Sequence, residues 1–206
     1  MKAKRISGLY AITPDASRAD GLLPRVKECL KGGARIVQYR NKVDSAPHLE
    51  IASTLAILCR QYKAVFIVND DVELAVAAGA DGVHLGREDG DIALARRQLG
   101  PEGIIGVSCY GSLEHALFAQ LAGADYVAFG SVYASPTKPQ APHIPLSLLT
   151  EARSQLDIPV VAIGGITLQN AAQVVASGAD AIAVISAVFD TPDVAGAAQN
   201  FSNFFN

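Results

Sequence analysis

Short apolar runs bounded by turn residues recur eight times along the chain. Between them lie stretches in which apolar residues return at helical spacing, for example Leu49, Ala52, Leu55 and Cys59 on one face. Strands that alternate with helices usually pair in parallel, and parallel strands are continuously apolar because both of their faces are buried. We therefore predict eight strands, at residues 8–12, 36–39, 65–68, 82–85, 104–107, 126–129, 160–163 and 181–185.

A Gly-Ala-Asp tripeptide recurs just before some of these runs. It begins at Gly79, Gly123 and Gly178, and a Gly-Ala-Arg variant begins at Gly33. A glycine that ends a helix and leads through a short polar link into a buried strand is typical of an αβ connection. The spacing of the glycines is about twice the ~20–25 residues of one βα unit in a barrel of this size. One copy of the tripeptide should therefore precede every second strand.

Eight βα units without a Gly-rich linker or a shift in composition favour one α/β domain. We predict a single (β/α)8 TIM barrel that spans residues 1–206. The alternative is an open, doubly wound sheet, but the chain lacks the dinucleotide-binding fingerprint usual in that fold.

Composition narrows the range of partners. Half of the residues are hydrophobic, 18% are charged and the formal net charge is −3, which argues against nucleic acid or an anionic membrane as a partner. No apolar run approaches the ~18 residues of a membrane span, so we expect no membrane association. The three cysteines are widely spaced, which predicts neither disulfides nor zinc and suits a reducing cytoplasm.

Charged residues are concentrated just after the predicted strands, where barrel enzymes carry their chemistry. Arg40, Lys42 and Lys138 follow strands two and six, and Asp70 and Asp89 follow strands three and four. Any one such charge is common on a solvated loop. Together they predict a multiply charged phosphate bridged by Mg²⁺, which is typically held by one or two carboxylates plus substrate phosphate.

A second phosphate site is predicted after strands seven and eight. Gly164 and Gly165 allow backbone N–H groups to approach an anion, and Thr167 is placed to cap the helix that follows. Ile185 and Ser186 offer further amides at a helix start, and this region is the usual phosphate cradle of the fold. The residues thus predict two small-molecule substrates that carry phosphate.

With these motifs in place, the chain resembles the thiamine-phosphate synthase family from Gly8 to about Val188. The resemblance rests on the order and spacing of several short motifs, namely residues 38–42 (QYRNK), 69–70 (ND), 82–86 (GVHLG) with 88–89 (ED), 106–108 (GVS), 123–132 (GADYVAFGSV), 137–138 (TK) and 163–166 (IGGI).

The resemblance implies that a hydroxymethylpyrimidine diphosphate and a thiazole phosphate condense to thiamine phosphate and pyrophosphate. It implies diphosphate contacts at Gln38, Tyr39, Arg40, Asn41, Lys42, Asn69, Ser108 and Lys138, of which Arg40, Lys42, Ser108 and Lys138 act on the departing diphosphate. It implies Mg²⁺ ligands at Asp70 and Asp89, and thiazole phosphate contacts at Ser135, Pro136, Thr137, Gly165, Ile185 and Ser186. Family members often form homo-oligomers, so a homo-oligomer is a further expectation.

Two departures from the family pattern stand near these motifs. Arg87 occupies a position where the family usually has Gln, and Cys109-Tyr110 stand where it usually has Thr-His. We interpret Cys109 and His84 as packing or core residues. The alternatives are a thiazole tautomerase, a phospho-sugar isomerase or indole-forming synthase, and a non-catalytic protein that binds thiamine precursors. A tautomerase would not need Asp70, Asp89 and Lys138 together. The isomerase or synthase explains the phosphate cradle but not the pair of carboxylates, and the binding protein could dispense with the metal.

Overall fold

A computed structural model describes residues 6–16, 19–44, 46–86, 91–134 and 142–206 of the chain. Strands and helices alternate along these ranges. The strands are β1 (Gly8–Ile12), β2 (Ile36–Tyr39), β3 (Val65–Asn69), β4 (Gly82–Leu85), β5 (Ile104–Tyr110), β6 (Tyr126–Phe129), β7 (Val160–Ile163) and β8 (Ala181–Val184). The helices are α1 (Ala19–Lys31), α2 (His48–Gln61), α3 (Val72–Ala78), α4 (Ile92–Leu99), α5 (Leu113–Leu121), α6 (Ser147–Gln155), α7 (Ala171–Ala176), α8 (Ser186–Phe189) and α9 (Val194–Ser202), followed by a 3₁₀ turn at Asn203–Phe205.

The eight strands form one closed parallel barrel in sequence order, and β8 pairs with β1 to close it. The predicted (β/α)8 barrel is therefore confirmed, and the open-sheet alternative is wrong. Five strands have the predicted bounds, whereas β3 runs one residue further. β8 ends at Val184 because Ile185 already precedes the first turn of α8. Within the described ranges, no helix has both the length and the apolar character needed to cross a bilayer.

The end of β5 differs most from the prediction. The sequence pattern ended this strand at Val107, but pairing with β6 continues to Tyr110 through a register shift between Ser108 and Tyr110. A bulge of this kind bends a strand and re-aims its side chains. Ser108 is partly exposed, Cys109 is fully buried and Tyr110 has φ +54°.

Two layers of apolar side chains hold the barrel together. Inside it, residues such as Ile36, Ile67 and Val161 fill the space between the strands. Outside it, residues such as Val37, Leu55 and Phe201 pack the helices against the strands. Each strand is buried on both faces, which is why its sequence is continuously apolar.

The Gly-Ala-Asp repeat joins the barrel at the amino ends of its strands. The glycines of the four copies have φ between +67° and +104°, and the copies precede β2, β4, β6 and β8 as predicted. In the three Gly-Ala-Asp copies the aspartate Oδ2 accepts a hydrogen bond of 2.9 Å from a backbone N–H of the preceding strand. These pairs are Asp81 with Phe66, Asp125 with Ile105, and Asp180 with Val160. The carboxylate thus satisfies a donor where an odd-numbered strand begins.

Candidate active site

The carboxyl ends of the strands meet at the opposite end of the barrel from the Gly-Ala-Asp repeat. Every sequence-predicted site residue that the structure describes lies in or next to these strand ends: Gln38, Tyr39, Arg40, Asn41, Lys42, Asn69, Asp70, Ser108, Gly165, Ile185 and Ser186. The other predicted site residues lie outside the described residues and stay predictions: Asp89, Ser135, Pro136, Thr137 and Lys138. The departure at Arg87 lies outside them as well.

The side chains of β2 and its following loop divide between the barrel interior and the loop itself. Gln38 is buried and donates to the hydroxyl of Tyr10 on β1. Tyr39 belongs to the outer layer, and its hydroxyl lies 3.0 Å from Nδ1 of His48 on α2. Asn41 Nδ2 donates to the Ala16 carbonyl at 2.6 Å. The side chains of Tyr39 and Asn41 therefore hold the loop in shape, whereas Gln38 faces the barrel interior.

The loop after β1 contacts both residues that carry the described cations of the site, Arg40 and Lys42. Asp15 Oδ1 lies 3.3 Å from the Arg40 guanidinium and accepts a 2.9 Å hydrogen bond from the Lys42 backbone N–H. Thr13 Oγ1 donates to the Arg40 carbonyl at 2.9 Å. The Arg40 side chain is 17% exposed, so its charge is partly withdrawn from water at the rim of the barrel. No role was predicted for Asp15, although the residue lies in the loop that follows strand one.

The loop after β3 contains two adjacent carboxylates with different environments. Asp71 caps α3, because its Oδ1 accepts from the Leu74 N–H at 2.8 Å. Asp70 has φ +64°, a conformation that is uncommon outside glycine, and its N–H donates to the His84 carbonyl at 2.8 Å. The Asn69 amide donates to Asp70 Oδ2 at 2.5 Å. Asp71 thus serves the helix, and Asp70 is the carboxylate presented at the end of β3.

The carboxylate at the end of β3 suits Mg²⁺ bound partly by water and substrate, rather than a metal whose ligands all come from the protein. In the described part of the chain, no group of three or more His, Cys, Asp and Glu side chains is arranged to hold a metal. Mg²⁺ commonly keeps several waters and binds through one or two carboxylates plus substrate phosphate. Asp70 fits that pattern, and the second predicted ligand, Asp89, lies outside the described residues.

A chain of hydrogen bonds crosses the barrel interior beneath these loops. Starting at β2, Gln38 Nε2 donates to Tyr10 OH at 2.8 Å, and Tyr10 OH lies 2.8 Å from Tyr126 OH. Tyr126 OH lies 3.0 Å from His84 Nδ1, and His84 Nε2 lies 2.9 Å from Ser108 Oγ. We call these five residues the interior relay. His84 is 8% exposed and bonded at both ring nitrogens, as the interpretation of it as a core residue predicts.

The interior relay depends on a glycine in β5. In the strand register Gly106 stands opposite both His84 on β4 and Tyr126 on β6. A Cβ at position 106 would overlap the Tyr126 ring, so only glycine lets this ring lie here. The His84 and Tyr126 rings stack with their centroids 5.5 Å apart. Burial raises the pKa of both Tyr10 and Tyr126 well above the usual value near 10, so both phenols keep their protons.

The loops after β6 and β7 lie against each other. The Val132 N–H donates to the Ile163 carbonyl and the Tyr133 N–H to the Gly164 carbonyl, each at 3.0 Å. Gly165 has φ +61°, and a Cβ there would run into the Ala134 carbonyl. The glycine at 165 is therefore required by the close approach of the two loops.

The turn that follows these glycines differs from the prediction for Thr167. The helix α7 begins at Ala171, and no side-chain cap is formed at the residue before it, Asn170. Instead Asn170 Oδ1 accepts from the Thr167 N–H at 2.8 Å, and its Nδ2 donates to the Gly165 carbonyl at 3.0 Å. A side chain that reaches back three residues in this way satisfies a backbone donor at the start of a helical turn. Thr167 thus stands at the start of a turn that separates the glycines from α7.

The cysteine near the site is inert. Cys109 is fully buried, and burial raises the pKa of its thiol to about 12. A thiol of this kind carries almost no thiolate at neutral pH and is a poor nucleophile. This agrees with the interpretation of Cys109 as a packing residue. Its neighbour Tyr110 is 40% exposed at the rim.

Comparisons with known proteins give the same result as the motifs. The family described as thiamine monophosphate synthase matches residues 9–188. The thiamine-phosphate synthase of Aromatoleum aromaticum is 51% identical over 207 residues, which cover all of both chains. That of Thioalkalivibrio sulfidiphilus is 53% identical over 98% of this chain and 97% of its own length.

A solved structure agrees with these sequence matches. The thiamine phosphate pyrophosphorylase of Pyrococcus furiosus superposes with a TM-score of 0.86 and is 41% identical. The superposition covers 98% of this chain and 96% of that chain. By sequence and by structure, the chain belongs to the thiamine-phosphate synthase family of (β/α)8-barrel transferases.

Proposed function

We propose that this protein condenses hydroxymethylpyrimidine diphosphate with thiazole phosphate to form thiamine phosphate and pyrophosphate. In this reaction the bond between the pyrimidine methylene carbon and the diphosphate oxygen breaks, and the thiazole nitrogen supplies the electron pair of the new C–N bond. Membership of the thiamine-phosphate synthase family carries the proposal. The placement of Arg40, Asp70 and Ser108 at the carboxyl ends of β2, β3 and β5 supports it.

Neutralisation of the departing diphosphate is the main task of the first site. Arg40 and Lys42 would bind the diphosphate oxygens, and Lys138 would join them from the loop after β6. Fixed positive charges lower the barrier because negative charge accumulates on the leaving group as the bond breaks. Asp15 would hold the Arg40 guanidinium and the Lys42 backbone in place before the substrate arrives. Gln38, Asn69 and Ser108 would orient the pyrimidine diphosphate.

Asp70 and Asp89 are the residues that would hold Mg²⁺. When bound, the ion would add charge neutralisation on the diphosphate. The hydrogen bond from Asn69 to Oδ2 of Asp70 would orient the carboxylate for that role.

The thiazole phosphate would be held by the loops after β6, β7 and β8. Gly165 would contribute its backbone N–H from the loop after β7. Ile185 and Ser186 would contribute theirs from the start of α8, because N–H groups in the first turn of a helix have no acceptor within the helix. Ser135, Pro136 and Thr137 would complete this second site. The reaction needs no strong base, so positioning of the thiazole nitrogen and exclusion of water from the pyrimidine methylene cation are the remaining requirements.

Pyrophosphate release from the purified protein tests the proposal. We expect release only when both phosphorylated heterocycles and Mg²⁺ are present. Binding of thiazole phosphate without pyrophosphate release would contradict it and favour the tautomerase or the non-catalytic binding protein. Omission of each component in turn is the control, because a contaminating diphosphatase would release phosphate without the thiazole substrate.

A further inference from the structure

The interior relay joins two residues that are both expected to contact the pyrimidine diphosphate. Gln38 stands at one end of the relay and Ser108 at the other, and the three residues between them are buried in the barrel. Tyr10 and Tyr126 have no predicted role of their own, and both lie between two residues that are expected to contact substrate.

The orientation of the Gln38 amide in the structure gives the hydrogen bonds of the relay one direction. An amide nitrogen only donates, so Tyr10 accepts at its oxygen from Gln38. In the described part of the chain the Tyr10 hydroxyl has one other partner, Tyr126, so its single hydrogen must go there. Among the described residues, Nδ1 of His84 is then the one acceptor left for the Tyr126 hydrogen.

The same direction of hydrogen-bond donation continues through the His84 imidazole to Ser108. A neutral imidazole that accepts at Nδ1 carries its hydrogen on Nε2, and this nitrogen lies 2.9 Å from Ser108 Oγ. Ser108 therefore accepts from His84, and its own hydroxyl hydrogen is directed to another acceptor. Burial raises the pKa of both phenols, so each phenol keeps the hydrogen that this direction assigns to it.

We propose that Tyr126 is a positioning residue that holds His84 in its Nε2–H tautomer and thereby presents the Ser108 hydroxyl as a donor to the pyrimidine diphosphate. The proposal rests on the function proposed above, since it assigns Ser108 a contact with that substrate. Gly106 is the structural condition for it, because any side chain at 106 would displace the Tyr126 ring. Without the Tyr126 hydroxyl, His84 loses the donor that selects its tautomer, and Ser108 is free to donate to Nε2 instead.

The tautomer is measured directly by ¹⁵N NMR of protein labelled at histidine. We expect His84 of the wild-type protein to show the Nε2–H tautomer, with Nδ1 unprotonated. In Tyr126→Phe this preference should be lost. Tyr10→Phe is the matched control, because it also removes a buried relay hydroxyl but leaves Tyr126 able to donate to His84, so the Nε2–H tautomer should persist. The Nδ1–H tautomer in wild-type protein would overturn the proposal.

A double-mutant cycle tests the consequence for the substrate. Tyr126→Phe should raise KM for the pyrimidine diphosphate about tenfold, the effect of one lost hydrogen bond, and leave KM for thiazole phosphate within twofold. In the Ser108→Ala background the same substitution should change KM for the pyrimidine diphosphate by less than about twofold, because the relay then has no hydroxyl to orient. An equal effect in both backgrounds would contradict the proposal and indicate a purely structural role for Tyr126.

The two measurements separate this proposal from the proposed function. If the wild-type protein releases no pyrophosphate, the proposed function fails, and the role of Ser108 as a donor to substrate fails with it. The His84 tautomer is read without substrate, so the direction of the relay would still be tested. If pyrophosphate is released and the tautomer is Nδ1–H, only the positioning proposal is wrong.

Discussion

Asp70 and Asp71 are neighbouring carboxylates that the fold uses for different purposes. Asp71 accepts a hydrogen bond from the first turn of α3, whereas Asp70 is turned by its positive φ to the end of β3. The two residues carry the same charge and stand next to each other. A substitution that removes one charge at a time therefore separates a role in binding the diphosphate from a general effect of local charge.

We expect Asp70→Asn to lower kcat/KM for pyrophosphate release by at least about a hundredfold, because the variant lacks the carboxylate proposed to hold Mg²⁺. Asp71→Asn should stay within about threefold of wild type, since asparagine caps a helix as well as aspartate does. Steady-state kinetics over a range of Mg²⁺ concentrations would measure both. Equal losses in the two variants would show that the distinction between the carboxylates is wrong.

Gly165 and Gly79 share a backbone conformation but differ in the space around them. Both have a similar positive φ, of +61° and +67°, but a Cβ at 165 would meet the Ala134 carbonyl, whereas a Cβ at 79 has open space around it. Alanine is strained by about 1 kcal/mol at either position. Only at 165 does it also force apart the loops after β6 and β7.

Accordingly, Gly165→Ala should raise KM for thiazole phosphate about tenfold or more, because the loops proposed to bind it are displaced. Gly79→Ala should lower the free energy of unfolding by about 1 kcal/mol and leave both KM values unchanged. Initial-rate kinetics and urea unfolding of the two variants are the measurements. If Gly165→Ala affects only stability, the second phosphate site does not lie at this loop.

At the scale of whole elements, the Gly-Ala-Asp repeat connects the amino ends of neighbouring strands. Asp125 illustrates it, because its carboxylate accepts from the Ile105 N–H and also forms an ion pair with Arg96. Loss of a carboxylate here leaves a buried strand donor without its acceptor, which is costly in a protein interior.

Asp125→Ala should therefore lower the free energy of unfolding by about 1–3 kcal/mol, the usual cost of an unsatisfied buried donor. Asp157→Ala, which removes an exposed aspartate, should change it by no more than about 0.5 kcal/mol. Neither should alter KM, since Asp125 lies at the end of the barrel remote from the strand ends proposed to bind substrate. Urea denaturation of both variants measures the difference, and equal stability would contradict the role assigned to the repeat.

The elements themselves were largely predictable from the sequence. Buried parallel strands are apolar on both faces and the repeat marks alternate strand starts, so β1, β2, β4, β6 and β7 were predicted with their observed bounds. The extension of β5 to Tyr110 was not predicted, because a bulge lets polar residues stay paired in the sheet. The relay was missed because Tyr10, His84 and Tyr126 come together only through the register of distant strands. Alternation along β1 and β6 would have placed both tyrosines inside the barrel.

At the scale of the whole molecule, protons are held tightly by buried thiols and phenols. Burial raises the pKa of Cys29, Cys59 and Cys109 from about 9 to about 12 each. The native state thus keeps these protons under conditions in which the unfolded chain has lost them. A group whose pKa is raised by folding stabilises the native state below its unfolded pKa, and this contribution is lost as the pH rises toward the folded value.

We expect the free energy of unfolding to fall between about pH 9 and pH 12, by about 1.4 kcal/mol per pH unit for each fully buried thiol. Urea unfolding at a series of pH values in this range measures the slope. A variant with alanine at both Cys29 and Cys59 should be less stable near neutrality but show a shallower alkaline slope. An unchanged slope in that variant would show that these thiols do not titrate as proposed.

The carboxylates of the Gly-Ala-Asp repeat and the residues of the candidate site occupy opposite ends of one barrel. Substitutions in the loops proposed to bind substrate should therefore leave the carboxylate-to-strand bonds intact, and substitutions that strengthen those bonds should leave activity unchanged. Laboratory evolution could therefore treat the two ends separately. Substitutions at the carboxyl ends of the strands would alter which heterocyclic substrates bind, and stabilising substitutions at the amino ends would offset the stability that those changes cost.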